Sequence, residues 1–145
     1  MIGDGDMEND IRRLIRDKSL GNVKLTGRIP NTEVYGYLKK SDLLLMTSEY
    51  EGLPKVIQEA AQCGVPSIYI NQNYSVDFIK NGNNGYAVED LEQMIEKVQY
   101  LLDNPTIYSM MSEAAYTTIQ KYTWENLIKD YEEYFMIQYK MKRER

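Results

Sequence analysis

Leu43-Leu44-Leu45-Met46 is a run of four apolar residues with nothing polar on either face. A strand with one face in water alternates polar and apolar; a strand without alternation belongs to a parallel sheet covered on both sides. Val65 to Ile70 reads as a second such strand. Between them, Pro54 to Cys63 reads as a helix, with Pro at its first position and Gly64 just past its end. Strand, helix, strand is a parallel pair joined by a right-handed crossover. The same alternation extends outward. Met1-Ile2 has the character of the end of a buried strand that turns at Gly3-Asp4-Gly5-Asp6. Glu8 to Leu20 is helical in pattern, with Ile11, Leu14 and Ile15 on one face and Gly21 as its stop. Val23-Lys24-Leu25 suggests a short strand, Thr32 caps a helix over Val34–Lys40, and Ser75 to Lys80 suggests another short helix. Gly85–Val88 is an edge strand, Asp90 caps a helix to Leu102, and Asn104-Pro105 separates it from two closing helices, Thr106–Lys121 and Thr123–Lys140. The expected fold class is α/β: one Rossmann-like parallel sheet flanked by helices, with helices at the C-terminus. Two residues are too few for a strand, so the first unit of that sheet is expected to be missing.

Composition narrows the chemistry. At 145 residues a single domain, 1–145, is the expectation, and a net charge of −5 disfavours nucleic acid as a partner. With no histidine, the commonest general base and zinc ligand are unavailable, and no metal site is expected. The one cysteine, Cys63, cannot form an internal disulfide, which suits a reducing, cytoplasmic compartment. Lys140, Lys142, Arg143 and Arg145 crowd the tail; the plain reading is a solvated helix end, and the alternative is peripheral contact with the inner face of an anionic membrane. Trp124, Tyr131, Tyr134 and Phe135 form an aromatic stripe expected to pack into a core or interface.

In an open parallel sheet, ligands lie at the carboxyl ends of the strands. The loops there are Gly3-Asp4-Gly5, Gly27-Arg28, Thr47 to Gly52 and Asn71-Gln72-Asn73, and they are expected to share one edge. Glu51 precedes the helix and Glu59 lies within it, with seven residues between. A helix start leaves unpaired N–H groups that favour an anion. Gly52 permits close approach, and Pro54 brings no N–H, so the amides of Gly52, Leu53 and Lys55 are the donors on offer. A diphosphate on this tip, flanked by two carboxylates that accept from sugar hydroxyls, is one arrangement. Acidic residues that merely complement the helix dipole are the other.

The order of short motifs decides between them. Gly3-Asp4-Gly5, Val23 to Arg28, Leu43 to Ser48, Glu51-Gly52-Leu53-Pro54 through Glu59-Ala60, Cys63-Gly64-Val65-Pro66, Asn81 to Tyr86 and Tyr122-Thr123-Trp124-Glu125 follow one another as in the C-terminal, donor-binding domain of family 4 retaining glycosyltransferases of the GT-B fold. The chain resembles that domain from Gly3 to Tyr134. The resemblance implies that Glu51 holds the donor sugar and is the catalytic candidate, acting by position and not as a nucleophile. It implies that Glu59 takes the ribose hydroxyls and that Gly52, Leu53 and Lys55 contact the distal phosphate. Gly3 and Gly5 would face the donor cleft, and Gly27 and Arg28 would hold the base. The donor would be a UDP- or GDP-type nucleotide sugar, with no cofactor or metal, and bacterial surface polysaccharide or glycolipid synthesis would be the setting. The family's acceptor-binding N-terminal domain, and the first strand–helix unit of this one, are absent from the sequence, so the chain is expected to be inactive alone. A GT-B epimerase or glycogen-synthase-like enzyme, and a non-catalytic α/β interaction module, are the competing readings.

Overall fold

The computed structural model describes residues 1–52 and 54–143; Leu53 and Arg145 lie outside the described residues. The chain divides into two compact units, residues 1–37 and the remainder from Leu38.

The first unit holds α1 (Glu8–Asp17) and most of α2 (Asn31–Leu38). α1 ends three residues before the expected stop: Lys18 caps it, and Ser19 takes the left-handed turn at φ 51° that had been expected near Gly21. Ion pairs Arg12–Glu8 and Arg13–Asp10, at 2.6 and 2.8 Å, lace its exposed side. Val23–Leu25 is not a strand. The segment runs beside the N-terminus: the Met1 ammonium donates to the Lys24 carbonyl (2.7 Å), Thr26 N–H donates to Met1 O (3.1 Å), and an isolated bridge joins Gly3 to Gly27. A lone pair of extended segments is too small to count as a sheet, and Met1 and Ile2 are exposed instead of buried.

The second unit is built on β1 (Leu44–Met46), β2 (Ser67–Ile70) and β3 (Gly85–Val88), all parallel, with β2 in the centre. The register sets Leu44 beside Ser67 and Ser67 beside Gly85. Every residue of β2 is buried, because helices cover both faces. Met46 and Tyr69 pack with Ile57 and Ala61 of α3 (Lys55–Gln62) and Ala115 and Ile119 of α5 (Pro105–Ile119). Ile68, Ile70 and Val88 pack with Met94 and Leu101 of α4 (Leu91–Asp103) and Met111 of α5. β1 corrects the expectation of burial on both faces: Leu45 is 48 % exposed. It is an edge strand of this sheet, and α4 packs over β2 and β3.

The chain between β2 and β3 is a turn at Asp77–Phe78, not a helix. Side chains take its backbone groups: Tyr69 Oη accepts from Val76 N–H (3.2 Å), and the fully buried Asn84 accepts from Lys80 N–H (2.6 Å) and donates to Phe78 O (2.9 Å). Gly82 has the positive φ of a turn residue, at 79°, whereas Gly85 is needed for space: a Cβ there would lie 2.7 Å from the Ser67 carbonyl oxygen. A 3-10 turn, Gln120–Tyr122, leads into α6 (Trp124–Arg143). The aromatic stripe of α6 is not core, since Trp124, Tyr131, Tyr134 and Phe135 are all exposed.

Candidate functional site

Parallel strands send their following loops out at one edge. The loops after β1 and β2 therefore leave the second unit's sheet side by side, and a hydrogen bond ties them: Asn73 Nδ2 donates to Glu49 O at 3.0 Å. An open hollow of about 570 Å³ lies at this edge, lined by Thr47, Ser48, Glu49, Ile70, Gln72 and Asp90 among others. Beside it the chain runs through Glu51 and Gly52 into α3.

α3 is short and deeply set. Ile57, Ala60 and Ala61 recur at the spacing of one helical face and are buried. Pro54 occupies the cap position with ψ 89°, and Ile57 N–H closes the first turn on Pro54 O at 3.0 Å. The amides ahead of Ile57 have no carbonyl a turn earlier to bond, as at any helix start. Gly52 and Lys55 are exposed and Glu51 is half-buried, while Pro54 between them is buried, so solvent reaches the tip on both sides of its cap residue. Glu59, half-buried on the second turn, sits four residues beyond Lys55 and shares its side of the helix, away from the buried stripe.

Of the sequence candidates, Glu51, Gly52, Lys55 and Glu59 are thus gathered around the N-terminal half of α3, while Leu53 lies outside the described residues. Gly3, Gly5, Gly27 and Arg28 belong to the first unit. There Gly3 and Gly27 meet, with Gly3 N–H donating to Gly27 O at 3.0 Å. Both have positive φ, 132° and 68°, so each turn depends on the missing Cβ. Gly3 and Gly5 line a hollow of about 220 Å³ with Met7, Glu8, Ile11 and Leu25. Arg28 is exposed. The loops after β1 and β2 share one sheet edge as expected, whereas Gly3–Gly5 and Gly27–Arg28 follow no strand of this sheet among the described residues.

Sequence reasoning missed Tyr74. Its ring stacks on Tyr69 of β2, centroids 5.5 Å apart, and its hydroxyl is buried with no hydrogen-bond partner among the described residues. Burial, then the negative charge of Glu51, then Tyr69 push its pKa above the ordinary tyrosine value. The signal available was an aromatic residue in a strand-end loop, among otherwise small and polar neighbours.

A parallel α/β sheet whose strand-end loops leave side by side is the architecture of an open-sheet ligand-binding domain. Residues 1–118 match the model of the family Glycosyl transferases group 1, and the chain belongs to that family. It is 28 % identical over 135 residues, 90 % of its own length and 38 % of the relative's, to an uncharacterized glycosyltransferase of Haemophilus influenzae. It is 30 % identical over 135 residues, 86 % of the chain and 35 % of the relative, to a GDP-mannose-dependent mannosyltransferase of Corynebacterium glutamicum. The chain thus spans less than two fifths of the length of either relative. Among solved structures, a mutant of S. aureus TarM, crystallised with Fondaparinux, alpha-GlcNAc-glycerol and UDP, superposes with a TM-score of 0.77 at 28 % identity, covering 90 % of this chain and 27 % of that one. The GT-B glycosyltransferase fold expected from the motifs is the fold observed. Among the described residues no helix is long and apolar enough to cross a membrane.

Proposed function

We propose that the second unit holds the nucleotide-diphosphate sugar donor of a retaining glycosyltransferase. The diphosphate rests on the open tip of α3, Glu51 holds the transferred sugar, and Glu59 holds the ribose. The observation that carries this reading is the open tip itself. Gly52 and Lys55 are exposed and Glu51 flanks them, on a helix fixed from beneath by Ile57, Ala60 and Ala61. Free amides at a helix start bind a leaving diphosphate and stabilise the charge it gains as the bond to the sugar breaks. Such preorganised dipoles act without a metal, and none is invoked. Glu51 contributes by orienting the sugar. The acceptor hydroxyl belongs to a second substrate, held by an N-terminal acceptor-binding domain such as the family's longer members carry. The TarM complex, whose ligands include UDP, and the GDP-mannose-dependent relative support a nucleotide sugar as the donor class.

Thermal unfolding with UDP, GDP and ADP tests the reading. A ligand at a hundred times its Kd stabilises by about 2.7 kcal/mol. The expected outcome is a clear rise in Tm with one nucleotide, lost in Glu59→Ala. A folded protein indifferent to all three nucleotides would remove the proposal.

A further inference from the structure

Tyr74 follows β2 in the loop at the sheet's carboxyl edge. Its ring lies on Tyr69 in the central strand. Its neighbour Asn73 is bonded to the Glu49 carbonyl in the loop that carries Glu51. At the end of this stacked ring is a hydroxyl buried without a partner among the described residues. Buried polar groups are nearly always paired, and an orphan that persists in a folded protein calls for a use. Glu51, whose negative charge reaches that hydroxyl, precedes the exposed Gly52.

We propose that Tyr74 is a positioning residue for Glu51: with a donor sugar in place, the buried hydroxyl donates to the Glu51 carboxylate and fixes the oxygen that faces the sugar. A carboxylate has two oxygens and lone pairs enough to accept from the phenol and from sugar hydroxyls together. The phenol is a donor only while neutral, and burial in this pocket favours the neutral form. The inference rests on the donor-site reading of Glu51 given above.

Tyr74→Phe keeps the ring on Tyr69 and removes only the hydroxyl. Calorimetric titration of the full chain with UDP, UDP-glucose, GDP and GDP-mannose reads the effect. The expected result is an affinity for the bound sugar nucleotide lower by about tenfold, the usual scale for a hydrogen bond to a charged group. Affinity for the matching plain diphosphate is unchanged, and Tm is not lowered. Adding Tyr74→Phe to Glu51→Gln should cost little beyond Glu51→Gln alone, because the two act as one unit. A structural role alone would instead lower Tm and weaken both ligand classes together. Wild-type affinity for the sugar nucleotide in Tyr74→Phe, or equal losses for both ligand classes, overturns the inference while leaving the donor site standing. If the wild-type chain binds none of the four ligands, the donor reading falls and this inference with it.

Discussion

α3 and α6 are opposites within one unit. α3 has eight residues, three of them buried, with Ile57 and Ala60 at 0 % exposure. Its far end is held as well: Gly64 turns the chain at φ 71°, and Ser112 of α5 donates its hydroxyl to the Gly64 carbonyl at 2.6 Å. α6 has twenty residues, yet none of its described residues is buried, and Trp124 stands 68 % exposed. Within the helix Tyr131 meets Phe135 at 6.5 Å and Tyr134 meets Phe135 at 5.8 Å. Length alone gives a helix little stability in water; packing of one face supplies most of it. The short helix is therefore the one able to hold a ligand-binding tip in place, whereas the long one displays an apolar surface of the kind that marks an interaction face.

That contrast is open to direct attack. The largest effect is expected from Ile57→Ala, which removes a fully buried side chain that seats α3 on the sheet. Urea unfolding should show a loss of about 2–5 kcal/mol. A loss below 1 kcal/mol, far under the usual range for such a cavity, would mean that α3 is not anchored through its core face. A smaller effect is expected from Gly64→Ala. The new methyl would force a left-handed residue and would stand 3.3 Å from Ser112 Oγ. The backbone term alone is roughly 1–2 kcal/mol. Because the strain falls at the far end of α3, nucleotide affinity should hold while stability falls. Loss of affinity with unchanged stability would reverse that assignment.

What the sequence made legible were features settled within a few residues. Asp90 was read as a cap, and its carboxylate does accept from Gln93 N–H at 2.8 Å. Pro105 begins α5, and Gly64 ends α3 by a left-handed turn. The apolar runs at Leu43–Met46 and Val65–Ile70 mark real parallel strands, and the order of motifs located the Glu51–Glu59 segment. Most of the failures turn on partners outside the segment being read. Ser75–Lys80 has helix-like composition, but Tyr69 and Asn84 claim its backbone groups. Leu45 is exposed because α4 covers the neighbouring strands. An aromatic stripe looks the same on paper whether it is buried, like Tyr69, or displayed, like Tyr131. Tyr74 escaped notice because its interest lies in an unpaired hydroxyl beside Glu51, which only three-dimensional packing creates.

The smallest expected effect is the sharpest test of the α6 side of the comparison. Phe135 is 64 % exposed and in contact with Tyr131 and Tyr134 of its own helix. Phe135→Lys exchanges an exposed ring for a solvated cation with good helix propensity, so urea unfolding should change within about 0.5 kcal/mol. Self-association should respond in the opposite sense. An exposed apolar stripe draws copies together, and a charge set in its middle opposes that contact. Sedimentation at rising protein concentration should show less association for Phe135→Lys than for the parent chain. A stability loss of 2 kcal/mol or more would instead place Phe135 in a packed environment, since exposed positions do not lose so much. α6 would then resemble α3, and the contrast between the two helices would fail.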